Sequence, residues 1–135
     1  MLTYLIDDDL ISLFVTEQVL RTEGLMPDVQ SFTSAEEALA HLLPRLSTAP
    51  PQLILLDLNM PVMDGWGFLE ALESHQAALQ GCFIYLLTSS LAPADTIRAK
   101  EYSYLVNIIH KPINEYDVKV IQASMQTCAD KLILK

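Results

Sequence analysis

Basic residues are scarce in this sequence. Eight lysines and arginines stand against seventeen aspartates and glutamates among 135 residues, which gives a formal net charge of -9 at pH 7. The imbalance is uneven, because residues 98–135 hold six of the eight bases and four of the seventeen acids. A field of this sign repels a phosphate backbone, so we expect no nucleic-acid binding.

Long apolar runs and paired cysteines are also missing. No apolar run approaches the roughly 18 residues of a membrane span, and Met1–Ile6 has neither the basic flank nor the length of a signal peptide. We therefore expect a cytoplasmic protein without membrane contact. Cys82 and Cys128 lie in apolar contexts without CxxC spacing or a nearby histidine, which favours reduced, buried or half-buried thiols over a metal site.

What the sequence does contain is a regular alternation of strand-like and helix-like segments. The predicted strands are the apolar runs Leu2–Ile6, Val29–Phe32, Leu53–Leu56, Cys82–Leu87 and Tyr104–Ile109. The predicted helices have apolar residues at helical spacing and run from Leu10 to Gly24, from Ala35 to Leu43, from Trp66 to Gln76, from Pro93 to about Tyr102, and onward from Asn114. Five strands alternating with five helices predict one doubly wound α/β domain over residues 1–135, built on a parallel sheet.

Polar residues with useful chemistry follow these strands. In an open parallel sheet, functional groups collect beyond the carboxyl ends of the strands. Those ends carry Asp7-Asp8-Asp9, Asp57, Thr88-Ser89 and Lys111-Pro112. If the first and third strands are neighbours, Asp7, Asp8 and Asp57 converge in one acidic cleft. Three carboxylates repel one another unless a hard dication binds between them, and Mg²⁺ suits such a site.

Thr88 and Lys111 are expected to flank the same cleft. They contribute a hydroxyl donor and a fixed positive charge, which are ligands for an anion. Asp57 then serves as a carboxylate nucleophile beside a metal held by its acidic neighbours, with Lys111 and Thr88 taking up charge on the phosphoryl oxygens. The combination predicts formation of an aspartyl phosphate.

The sequence resembles the receiver domains of two-component response regulators, in particular the single-domain, chemotaxis-regulator-like members. The resemblance covers essentially all 135 residues. It is carried by Leu5-Ile6-Asp7-Asp8, by the segment from Leu55 to Gly65 with its Asp57-Leu58-Asn59-Met60-Pro61, by Leu87-Thr88-Ser89-Ser90, and by His110-Lys111-Pro112, in the family's order and spacing.

That resemblance implies a mechanism and a fold. Asp57 receives a phosphoryl group from a histidine kinase or a histidine phosphotransfer protein, and the domain catalyses no reaction beyond its own phosphorylation and dephosphorylation. The implied Mg²⁺ ligands are Asp7, Asp8, Asp57 and the backbone carbonyl of Asn59, with Thr88 as the sensor hydroxyl and Lys111 beside it. The implied strand order is 2-1-3-4-5, with a cis peptide bond before Pro112.

Several of these residues have simpler interpretations. Asp8 or Asp9 can cap the first helix, and for Asp9 a cap or simple solvation is the favoured reading. Asp57 can be a solvated strand-end residue, and Thr88 can satisfy a local backbone group. Trp66 and Phe68 are expected to pack in the core rather than to bind a partner.

Three rival functions use the same fold or chemistry. A haloacid-dehalogenase-type phosphatase needs a second carboxylate two positions after its nucleophile, where this chain has Asn59. A flavin-binding module needs a phosphate-binding loop after the first strand, where this chain has three aspartates. A receiver-like module that is never phosphorylated is the third alternative, although all the expected site residues are present.

The output of such a domain is expected to be protein binding. No residues are left over for an output domain, so we expect a stand-alone receiver that binds an acidic partner or a second copy through residues 91–135. Arg98, Lys100 and Lys119 supply the positive charge of that region. The resemblance places the kinase elsewhere, near the first helix.

One position departs from the family pattern. Many receivers have an aromatic residue three positions before the lysine, and this chain has Ile108 there, with Tyr102 and Tyr104 nearby. We therefore expect the signal to run through Thr88 and the loop Ser89–Pro93. Three apolar residues lie off the main apolar stripe of the last helix and are either ordinary exposed residues or parts of a contact patch, namely Val120, Ile133 and Leu134.

Overall fold

The computed structural model describes residues 2–25, 28–90 and 92–133, and it describes the side chains of the last helix through residue 127. Within these residues the strands are β1 (Leu2–Ile6), β2 (Asp28–Phe32), β3 (Leu53–Asp57), β4 (Phe83–Thr88) and β5 (Leu105–His110). The α-helices are α1 (Leu10–Thr22), α2 (Ala35–Arg45), α3 (Gly65–Ala71), α4 (Pro93–Ala99) and α5 (Glu115–Ile133), and a 3-10 helix spans Glu73–Leu79. The predicted alternation of strands and helices is confirmed.

The strands form one parallel sheet in the order β2-β1-β3-β4-β5. This is the predicted doubly wound order. The strand order reverses at β1, because β2 lies on one side of it and β3, β4 and β5 follow on the other. β1 and β3 pair directly from Thr3↔Leu53 to Ile6↔Leu56. The residues that follow these two strands therefore meet at the carboxyl edge of the sheet, at the switch point of the fold.

A hydrophobic core lies on each face of the sheet. On one face α2 and α3 pack against the strands, and the buried side chains there include Phe68, Leu69 and Leu72. On the other face α1 and α5 supply Leu13, Leu20, Val118 and Ile121. β3 is buried at every position, as its unalternated apolar run predicts.

Local sequence signals fix several helix ends. The Asp9 side chain accepts hydrogen bonds from the backbone N–H groups of Ile11 and Ser12, so Asp9 is the N-cap of α1. Gly24 has φ 73° just after that helix, a conformation that costs little without a Cβ. Asn114 and Asp117 exchange side-chain to backbone hydrogen bonds of 2.9 and 3.0 Å, which confirms the predicted cap of α5.

The third helix is shorter than predicted. The expected helix from Trp66 to Gln76 ends at Ala71, and the chain continues as the 3-10 helix with His75 in a non-helical conformation. A straight α-helix would turn His75 and Gln76 toward the sheet, because they lie three and four residues after the buried Leu72. The kinked, tighter segment instead buries Leu79 at 2% exposure. Apolar spacing alone did not distinguish these two arrangements.

The remaining differences concern single residues. The fourth helix ends at Ala99 rather than near Tyr102, and the fifth strand begins at Leu105 rather than at Tyr104. Cys82 is buried as expected, and burial raises the pKa of its thiol to about 12; the side chains of Cys128 and Ile133 lie outside the described residues, as does Leu134. No helix in the described ranges has the length and apolar character needed to cross a membrane.

Candidate functional site

Three aspartates meet at the switch point of the sheet. Asp57 is the last residue of β3, and Asp7 and Asp8 follow β1 directly. Asp7 and Asp57 are 4% and 5% exposed, whereas Asp8 is open to solvent. One carboxylate oxygen from each residue lies within 4.8 Å of the other two. The structure thus brings together the three acidic side chains that the sequence placed at neighbouring strand ends.

Lys111 bridges the two buried carboxylates. Its Nζ lies 2.7 Å from Oδ2 of Asp7 and 3.1 Å from Oδ1 of Asp57. The backbone N–H of Lys111 donates to the carbonyl of Thr88 at 2.7 Å, and the peptide bond to Pro112 is cis, as the family resemblance implied. The ammonium group is therefore delivered into the cleft from the loop after β5.

Burial and charge repulsion change the protonation of this cluster. Burial, and after it the charge of Asp7, raise the pKa of Asp57, while Lys111 and a backbone hydrogen bond from Asn59 lower it, and the result is a pKa of about 6. The pKa of Lys111 is raised: burial lowers it, but the hydrogen bonds to Asp7 and Asp57 outweigh that effect. One ammonium group therefore compensates the clustered carboxylates only in part.

The donor set fits Mg²⁺. Three carboxylates with oxygens within 4.8 Å of one another offer the hard ligands that this ion selects. With all three ionised and Lys111 protonated, the cluster has two uncompensated negative charges, which a divalent cation neutralises. The carbonyl of Asn59, the fourth predicted ligand, belongs to an exposed residue two positions after Asp57.

Thr88 lies at the end of β4 and is fully buried. Its hydroxyl donates to the carbonyl of Ser90 at 3.1 Å and accepts from the backbone N–H of Ser90 at 3.2 Å. Both hydrogen-bonding functions of the side chain are thus used within its own turn, which is the simpler interpretation considered for this residue. To donate to a bound group, the hydroxyl must give up its bond to the carbonyl of Ser90, because it has only one hydrogen to donate.

Asp8 and Asp9 have different roles. Asp9 caps α1 through its side chain, and its own backbone N–H donates to Oδ1 of Asp7 at 3.0 Å. Asp8 contributes a carboxylate oxygen to the cluster. The cap therefore orders the loop that presents the two preceding aspartates.

Two residues near the site were not singled out from the sequence. Gly65 is packed so tightly that a Cβ there would lie 3.0 Å from Cα of Leu58 and 3.1 Å from the carbonyl oxygen of Asp57. Val62 has φ 70° and is 94% exposed, and a β-branched residue is an outlier in that region of backbone space. The turn-rich segment around them was visible in the sequence, but neither the close approach nor the backbone angle was.

The aromatic residues have the expected structural role. Trp66 and Phe68 are 5% and 0% exposed, so both pack in the core as predicted. Ile108 is half-buried and packs beside the core on the face of α3. The hydroxyl of Tyr104 donates to the carbonyl of Leu69 at 2.5 Å.

Comparison with known proteins agrees with this fold. The family model of the response regulator receiver domain matches residues 3–123. A two-component response regulator from Cytophaga hutchinsonii is similar at 26% identity and a TM-score of 0.87, over 93% of this chain and 96% of that one. A receiver protein from Dyadobacter fermentans gives 25% identity and a TM-score of 0.80, over 93% and 98% of the two chains.

The chemotaxis response regulator CheY4 of Vibrio cholerae is also similar, at 26% identity and a TM-score of 0.71 over 90% of this chain and 96% of that one. A comparison with curated proteins gave no match. The family model spans all five strands and the acidic cleft at their carboxyl edge, and the chain therefore belongs to the response regulator receiver domains.

Proposed function

We propose that this receiver domain accepts a phosphoryl group on Asp57 from a histidine kinase or a histidine phosphotransfer protein, in a reaction that depends on Mg²⁺. One observation carries the proposal. Asp57 is a buried carboxylate whose oxygens lie beside Asp7 and Asp8 and 3.1 Å from Nζ of Lys111. The Asp57 carboxylate therefore has the Lys111 ammonium group as a neighbour, and together with Asp7 and Asp8 it forms a set of hard ligands for a metal ion.

The residues of the cleft divide the chemistry between them. With a pKa of about 6, Asp57 is largely ionised at neutral pH, so a carboxylate oxygen is available to attack phosphorus. The new O–P bond forms as the P–N bond to the donor imidazole breaks, and the imidazole keeps the bonding electrons. Mg²⁺, when bound, withdraws charge from the transferring phosphoryl oxygens.

Lys111 and Thr88 act on the charge that remains. Lys111 already contacts Asp57, and it is placed to neutralise a phosphoryl oxygen attached there. Thr88 ends β4, the strand that pairs with β3 at Asp57↔Leu87. Its hydroxyl donates to the phosphoryl group after leaving the carbonyl of Ser90, and this exchange is the start of the conformational response.

The domain is proposed to have no substrate other than its own donor. Asn59 replaces the second carboxylate that a haloacid-dehalogenase-type phosphatase uses as acid and base. Hydrolysis of the aspartyl phosphate then returns the domain to its unphosphorylated state, and the domain hydrolyses no external phosphate ester. The described cleft also presents Asp7, Asp8 and Asp9 where a flavin-binding module would hold a phosphate.

The phosphodonor is proposed to dock at the start of α1. Three large apolar side chains of that helix are exposed, Leu10 at 70%, Ile11 at 75% and Phe14 at 62%. They follow the aspartates of the cleft in sequence, and Val62 is exposed in the neighbouring loop after β3. An apolar rim beside the nucleophile suits a partner that must exclude water while the phosphoryl group moves.

The output surface is proposed to lie within residues 91–135. The exposed apolar residues of its described part include Ile97, Val106 and Tyr116. Lys100 has no ion-pair partner among the described side chains, whereas Arg98 and Lys119 are paired with Glu70 and Glu115. The sequence offers three cations to an acidic partner or a second copy, namely Arg98, Lys100 and Lys119. Among the described side chains, two of the three are already in ion pairs within the domain.

The decisive experiment is incubation with acetyl phosphate and Mg²⁺, followed by intact mass and peptide mapping. One phosphoryl group is expected, on Asp57, and Asp57→Asn should remove it. Lys111→Ala should weaken the conformational response without weakening Mg²⁺ binding, since its ammonium group is a competing cation at Asp7 and Asp57 and not a metal ligand. Labelling of Asp57→Asn at the wild-type rate would identify another acceptor and refute the proposal.

A further inference from the structure

Helix α4 is loosely attached to the rest of the domain. None of the residues of Pro93–Ala99 is buried, and Ile97 is 66% exposed. The helix has two turns, too few to be stable by itself. Besides its contacts with β5, the helix is held by side-chain contacts at its carboxyl end and in the turn that follows.

Those contacts form a cluster that we call the α3–α4 latch, made of Trp66, Glu70, Arg98 and Tyr102. Nη2 of Arg98 lies 3.1 Å from Oε1 of Glu70, and its Cζ lies 4.8 Å from the centroid of the Trp66 ring. Tyr102 stacks on Trp66 with ring centroids 5.9 Å apart and donates its hydroxyl hydrogen to Glu70 at 3.4 Å. Arg98 thus joins α4 to α3 through both an ion pair and a cation–π contact.

One end of the latch is joined to the phosphoacceptor strand. Trp66 follows Gly65, whose N–H donates to the carbonyl of Leu58 at 2.8 Å. Leu58 follows Asp57, and the tight packing of Gly65 against both residues leaves no room for α3 to shift freely. The backbone at the start of α3, from which Trp66 extends, is therefore tied to the end of β3.

The other end is joined to the Thr88 turn. The hydroxyl of Thr88 holds both the N–H and the carbonyl of Ser90. Ala92, two residues later, precedes α4, and its N–H donates to Asp95 in the first turn of that helix. Donation from the Thr88 hydroxyl to a phosphoryl group on Asp57 would replace its bond to the carbonyl of Ser90 and so loosen the turn that leads to α4.

The tyrosines near Ile108 are also tied to α3. Tyr104 donates to the carbonyl of Leu69, and Tyr102 contacts Glu70 and the ring of Trp66. Ile108 has no hydrogen-bonding group in its side chain to report a change at the cleft. Trp66 and Arg98 therefore connect α3 to α4 by polar and aromatic contacts, whereas Ile108 lines a cavity with Thr96 and Ala99 of α4 and offers apolar contact only.

We propose that the α3–α4 latch holds α4 in its unphosphorylated position and that phosphorylation at Asp57 opens it. This inference rests on the proposed function of Asp57. An exposed ion pair and a cation–π contact are each weak, so the latch is easily opposed by hydrogen bonds to a phosphoryl group. Because linkage is reciprocal, a group that opens the latch on binding must bind more tightly when the latch is broken.

The test uses beryllofluoride with Mg²⁺ as the phosphoryl probe and Trp66, the single tryptophan, as the fluorophore. Glu70→Gln removes the ion pair without changing the side-chain shape. We expect it to bind beryllofluoride about twofold to fivefold more tightly than the wild type. Arg98→Met removes the cation–π contact as well as the ion pair, so its gain should be at least as large, and the double variant should gain no more than Arg98→Met alone.

Glu115→Gln is the matched control. It breaks the ion pair of 2.7 Å between Glu115 and Lys119 on α5, whose side chains are somewhat more exposed than those of Arg98 and Glu70. Its beryllofluoride affinity should equal that of the wild type. Wild-type affinity in Glu70→Gln, or weaker binding, would overturn the latch alone. A wild-type protein that neither binds beryllofluoride nor is phosphorylated on Asp57 would overturn the proposed function and the latch together.

Discussion

At the scale of single residues, the cleft shows how one carboxylate acquires unusual properties from its surroundings. Asp57 is 5% exposed, lies beside Asp7 and Asp8, and has one cation within 3.1 Å. Burial and the neighbouring charge disfavour its ionised form, and Lys111 compensates in part. The same arrangement that holds a nucleophile therefore lowers the stability of the metal-free fold.

The pH dependence of the free energy of unfolding tests whether ionised Asp57 destabilises the metal-free fold. The pKa of Asp57 is about 6 in the folded protein against an ordinary value of 3.8. The folded state therefore retains a proton that the unfolded state loses, so its contribution is fully present below about pH 4 and is lost as the pH rises through 6. In EDTA, Asp57→Asn should gain up to about 3 kcal/mol over the wild type between pH 4 and pH 7. Urea unfolding measures this gap, and a gap independent of pH would contradict the assignment.

A second prediction at this scale concerns Val62. A β-branched residue with φ 70° is strained, and Asn tolerates this region well. Val62→Asn should raise the free energy of unfolding by about 1 kcal/mol. Val62→Thr is the control, because it keeps the branched Cβ and removes the apolar surface. A gain of equal size in Val62→Thr would show that exposure, and not backbone strain, sets the cost.

At the scale of secondary-structure elements, the site depends on how closely α3 approaches β3 and β4. Gly65 begins α3 directly against the end of β3, and its N–H closes the intervening loop on Leu58. Sequence spacing located the turn-rich segment but gave no distance between these elements. The contact distances come from packing of the two layers.

Substitution of this glycine tests the approach. A Cβ at Gly65 would lie 2.9 Å from Cδ2 of Leu86 and 3.0 Å from Cα of Leu58, so Gly65→Ala should cost about 1–3 kcal/mol of stability. It should also slow labelling by acetyl phosphate, because the strain falls on Asp57. Gly81→Ala is the matched control, since nothing lies within 4 Å of its Cβ position. Equal effects of the two changes in thermal unfolding would refute the packing argument.

At the scale of the whole molecule, part of the excess of acidic residues forms a cluster that can bind a cation. The chain has a formal charge of -9, and its described acidic cluster lies at the switch point of the sheet. A dication that binds there binds the folded state and not the unfolded chain.

Mg²⁺ should therefore stabilise the protein measurably. At ten times its Kd the expected gain is about 1.4 kcal/mol, or about 4–6 °C in Tm for a domain of this size. Asp8→Asn should reduce this gain and raise the metal-free Tm by relieving repulsion. Asp9→Asn should leave the gain intact, since Asn also caps a helix. A Tm that rises equally with NaCl at matched ionic strength would indicate screening instead of a site.

The sequence by itself determined the order of elements and the residues at the strand ends. Apolar runs such as Leu53–Leu56 predict buried parallel strands because every position faces a core. The carboxyl ends of such strands share one edge, and so Asp7, Asp57, Thr88 and Lys111 were identified before any distance was known. Local signals such as Asp9 and Asn114 acted within four residues and were equally legible.

Only the tertiary structure decided what depends on packing between distant segments. The 3-10 turn after α3 follows from the need to bury Leu79, and the spacing of apolar residues does not reveal it. Arg98 was read as part of a basic surface, yet Glu70 and Trp66, more than twenty-five positions earlier in the chain, hold it. Such contacts arise where layers of the fold meet, and their partners are set by three-dimensional proximity, which the local periodicity of a sequence does not encode.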